Sequence, residues 1–206
     1  GEGWHVCAWA GDEGRARELQ EQPRAMAEAL GDRAGVAAAC GNRGNCYLST
    51  GDYGRARELH EQDRAMSEAL GDRAGVAAAC ANLGNCCLNT GDYGRAISYY
   101  TEKYNMAKEM QVEKHQVDAA LGAGVALRLR VLANVRGRAA GASELPGPHA
   151  SESACSDDGV REAEMWLQTA LDLGHTAARL HLARLVFDAG PEEDTALAHL
   201  QDYLSW

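Results

Sequence analysis

Strand-forming material is scarce. Phe occurs once and aromatic residues make up 6% of the chain. A chain this poor in aromatic and β-branched side chains supplies sheets badly, so helices are expected. Proline occurs four times, at 23, 146, 148 and 191, which leaves long stretches without a helix breaker. Cationic side chains are outnumbered, with 20 Lys and Arg against 30 Asp and Glu and a net charge of −10. A nucleic-acid partner is excluded on that balance, because phosphate-backbone binding needs clustered Lys and Arg. No apolar run approaches the roughly 20 residues of a membrane span, and no signal peptide is visible.

Reactive motifs are equally thin. The seven cysteines form no CxxC pair and no Cys/His set with zinc spacing. There is no HExxH and no Gly-Lys-Ser/Thr loop, and Gly122-Ala-Gly124 lacks a preceding strand. No metal, cofactor or catalytic residue is assigned, and the chain is not expected to be an enzyme. Cys40/Cys80 and Cys46/Cys86 recur in register. They read as small helix-packing residues of a reducing compartment, so a cytoplasmic location is expected.

What is present is a repeat. Gly11–Thr50 and Gly51–Thr90 align without a gap over forty residues. They differ only at Glu13/Tyr53, Gln20/His60, Pro23/Asp63, Ala27/Ser67, Gly41/Ala81, Arg43/Leu83, Tyr47/Cys87 and Ser49/Asn89. A third copy opens with Gly91-Asp92-Tyr93-Gly94-Arg95-Ala96 and then drifts. Self-similarity at a fixed period is the mark of a repeat architecture. The chain opens at Gly1 inside such a repeat, which suggests a piece of a longer protein.

Each repeat reads as two helices. Helical composition covers Gly14–Leu30, with Ala16, Leu19, Met26 and Leu30 near one stripe and a kink expected at Pro23. Gly31-Asp32 breaks it, Asp32 being a candidate N-cap. A second helix, rich in small residues, follows at Ala34–Thr50. The pattern recurs at Gly54–Leu70, Ala74–Thr90, Gly94–Met110 and Glu113–Arg130. Residues 1–136 are thus expected to be repeats, the first truncated. Residues 137–158 carry Pro146, Pro148, several glycines and Ser151, Ser153 and Ser156 beside acids, and read as a flexible insert. Further hairpin-like helices and a cap are expected over 159–206.

Asn82-Leu83-Gly84-x-x-Cys87, Gly91-Asp92-Tyr93 and Ala96-x-x-x-Tyr100 resemble the tetratricopeptide repeat, which carries Leu-Gly-x-x-Tyr on its first helix and Ala-x-x-x-aromatic on its second. The preceding copy has Gly44-x-x-Tyr47 and Ala56, with Arg43 in place of Leu and His60 in place of the aromatic. The forty-residue period, with Gly-Asp-Arg-Ala-Gly between helices, is similar to the repeats of Pins-type G-protein-signalling modulators. The resemblance implies an all-α fold, a right-handed solenoid of stacked helix hairpins whose first helices line a concave face.

Asn82, Asn85 and Asn89 share one face of their helix at i, i+3 and i+7, and Asn42, Asn45 and Ser49 match them one repeat earlier. Amides offer donor and acceptor alike, so such a ladder clamps the backbone of an extended peptide whatever its sequence. Related repeat proteins use asparagines at matching places in this way. The peptide-binding candidates are therefore Asn42, Asn45, Asn82, Asn85 and Asn89. Arg43 is read as a carboxylate ligand or a solvated cation. Tyr47 is read as core, and Tyr99, Tyr100 and Tyr104 as packing. The expected function is a protein–protein scaffold or adaptor. The alternatives are self-association through exposed repeat ends, or a recruiting segment of a larger signalling protein or enzyme.

Overall fold

The structure, a computed structural model, describes residues 22–141, 157–175 and 177–189. Every element in these residues is helical. They are α1 (22–29), α2 (Arg33–Thr50), α3 (Tyr53–Leu70), α4 (Arg73–Asn89), α5 (Tyr93–Glu109), α6 (Glu113–Gly141), α7 (Asp157–Asp172) and α8 (Ala178–Ala189). The expected helix over 195–204 lies outside the described residues, as does the start of the one at Gly14.

One turn builds the hairpins. Gly31, Gly51 and Gly71 take φ of 69°, 82° and 70°, a left-handed conformation that only Gly adopts without steric cost. Each donates its N–H to the carbonyl three residues back, and the following Asp donates to the carbonyl five residues back, as Asp52 does to Tyr47 at 3.0 Å. That pair satisfies the orphan carbonyls of the ending helix. The same Asp then starts the next helix. Asp32, Asp52, Asp72 and Asp92 accept from the backbone N–H three residues on, at 2.9 to 3.1 Å. Each such cap contributes about 1 kcal/mol. A two-residue connection forces the chain to fold back on itself, which is why adjacent helices pair.

Packing divides the chain into two compact units, Gly1–Thr90 and Gly91–Trp206. In the first, α3 packs against both α2 and α4, and α2 also touches α4. Its core is made of small residues. Ala56, Ala77, Ala79, Cys40, Cys80 and Leu83 are all essentially sealed from solvent. Gly44 lets the ring of His60 lie on the α2 backbone, since a Cβ there would stand 2.6 Å from the imidazole.

In the second unit, α6 packs against α5, α7 and α8. Leu127, Leu167, Leu182 and Leu185 form its centre. Tyr100 is buried and lies over Gly122 as His60 lies over Gly44. Tyr104 meets Trp166 edge to face at 5.0 Å between centroids. α6 runs unbroken to Gly141, beyond the expected repeat boundary at 136 and into the expected insert at 137–158. The repeated Gly-Asp pair is absent at 131–132, so nothing there stops the helix.

Candidate functional site

The asparagine face is built by the register of α2 and α4. Both helices start from the same Asp cap and end at the same turn, so equivalent residues project at equivalent heights. Asn42, Asn45 and Ser49 on α2 are exposed, as are Asn85 and Asn89 on α4, while Asn82 is half-buried. Asn89 donates its Nδ2 to the Asn85 carbonyl at 2.8 Å. Ser49 likewise donates to the Cys46 carbonyl at 2.8 Å. Ser49 thus spends its hydroxyl proton, and Asn89 one of its two amide protons, on a carbonyl of its own helix. Position 49/89 is thus in part a helix end.

Beside this face lies a cavity of about 350 Å³ between α1 and α2. Met26, Ala27, Leu30, Ala39, Asn42 and Arg43 are among its lining. Met26 and Leu30, read from the sequence as an apolar stripe, are 67% and 77% exposed. The buried residue of that turn is Ala27 instead.

Arg43 is half-buried, and its guanidinium carbon lies 5.9 Å from the Tyr47 ring centroid. Arg55, from α3, stands 5.6 Å from the same ring and pairs with Asp52 at 3.4 Å. Tyr47 is thus a half-exposed platform for two cations rather than a core residue. The signal for this lay in the sequence, because 43 and 47 are two of the few positions where the copies disagree.

Among the described residues the buried titratable groups form no catalytic arrangement. His60 is fully buried, its two ring nitrogens have no hydrogen-bond partner, and burial pushes it down to about 4. Burial raises the Cys40 thiol, and burial together with neighbouring Cys87 pushes Cys86 up to about 11. Those thiols stay protonated near neutrality, the opposite of an activated nucleophile. Among the described residues no group of three or more His, Cys, Asp or Glu is placed to hold a metal. No described helix is long and apolar enough to cross a membrane.

The tetratricopeptide repeat family model matches residues 39–74 and 79–113. The hairpins are similar to tetratricopeptide repeats. Each match begins within α2 or α4, a little before its midpoint, and takes in the whole of the helix that follows. The matched residues are all-α hairpins of the kind that tetratricopeptide repeats form. No curated protein matches the chain. Tetratricopeptide repeats generally mediate protein–protein interaction and are typically non-enzymatic scaffolds.

Proposed function

We propose that this chain is an adaptor that holds an extended peptide of a partner protein along the asparagine face of α2 and α4. The observation that carries the reading is the repetition of exposed amides, Asn45 and Asn85, at one register position of two helices in contact. Asn42 and Asn82 extend it on the same faces, and Asn89 offers its remaining acceptor. An amide pair grips a peptide unit as donor and acceptor, so backbone recognition follows without any particular side chain. The chemistry is binding without turnover. The forty-residue period keeps the likeness to Pins-type repeats, which we carry over as repeat type and not as partner. Five described cysteines, all free thiols, fit a reducing cytoplasmic setting.

The test is a double substitution, Asn45→Ala with Asn85→Ala. Binding of partner peptides is expected to fall at least fivefold, with helicity and thermal unfolding unchanged. Equal loss of folding and binding would make the two asparagines structural. A second reading, self-association, draws on the exposure of Met26 and Leu30. Sedimentation velocity decides it, since a monomer at every concentration removes it.

A further inference from the structure

We draw no further inference here: the strongest candidate, the open cavity between α1 and α2 lined by Met26 and Leu30, carries nothing, because Arg43 on its wall already lies over Tyr47 and nothing in the structure shows what covers it.

Discussion

Two stretches of the first unit, 22–50 and 62–90, are almost the same sentence written twice, yet they are packed differently. Val76, Ala79, Cys86 and Cys87 are buried in the second, whereas Val36, Ala39, Cys46 and Tyr47 are only half-buried in the first. Met26 is 67% exposed and its equivalent Met66 only half-exposed. The Gly31 and Gly71 turns and the Asp32 and Asp72 caps are alike in the two, so local sequence fixes the hairpin and not the seal between hairpins. The seal depends on a handful of facing positions. Leucine at 83 closes its contact, and arginine at 43 cannot, because its charge must keep contact with water or a partner. In a repeat protein each interface contributes its own term to stability, so a few substitutions open one joint and leave the next intact.

The sharpest way to break this comparison is at the joint the two copies share. Gly44→Ala places a methyl 2.6 Å from the His60 ring, which is fully buried and has nowhere to retreat. Overpacking of this kind costs about 1–3 kcal/mol, and urea unfolding should show the loss. A variant as stable as the native chain would mean that the ring moves aside freely.

Acid should then separate the residues that only the second copy carries. His60 is held down to about 4, below its ordinary 6.5, by burial. Its contribution to stability is therefore present above pH 6.5 and lost as pH falls through 4. Asp63 is pushed up to about 6, above its ordinary 3.8, by burial and by the charge of Asp72, against a hydrogen bond from Ser67. Its contribution is present below pH 3.8 and lost as pH rises through 6. Between pH 4 and 6 the two oppose. His60→Tyr, the residue found at Tyr100, should leave a chain that grows more stable as pH falls from 6 to 4. Asp63→Asn should steepen the acid loss instead. Chemical unfolding at a series of pH values reads both, and parallel curves for the two variants would sink the assignment.

The smallest effect extends the comparison to a third turn. Gln111 occupies the position of Gly31, Gly51 and Gly71, with φ of 57° and the same hydrogen-bond pair, to Lys108 from Gln111 and to Ala107 from Val112. Geometry has been kept after the favoured residue was lost. Gln111→Gly should stabilise the second unit by about 0.5–1 kcal/mol through relief of the left-handed strain, measurable as a small rise in melting temperature.

Much of this is legible in the sequence. Helix limits at Thr50 and Leu70 and the Asp32 cap follow from residues whose local chemistry is unambiguous, and the structure keeps them. The unbroken run of α6 to Gly141 was not legible, because the alternation of Pro, Gly and Ser begins only a few residues later and composition has no sharp edge. The exposure of Met26 and Leu30 was not legible either. A helical stripe says which residues lie together, and only the facing helix says whether they are covered. Asn89 illustrates the same limit, since amide spacing shows a face but not that the last amide turns back onto its own helix.

The Gly-Asp turn has one more consequence. Thr50-Gly51-Asp52 and Thr90-Gly91-Asp92 are the same three letters in the same order. Loss of residues 51–90 would join Thr50 to Gly91 and regenerate that junction without a scar. Gain of another forty residues would do so equally. Array length is thus a quantity that inheritance can change in whole steps, without inventing a new loop each time.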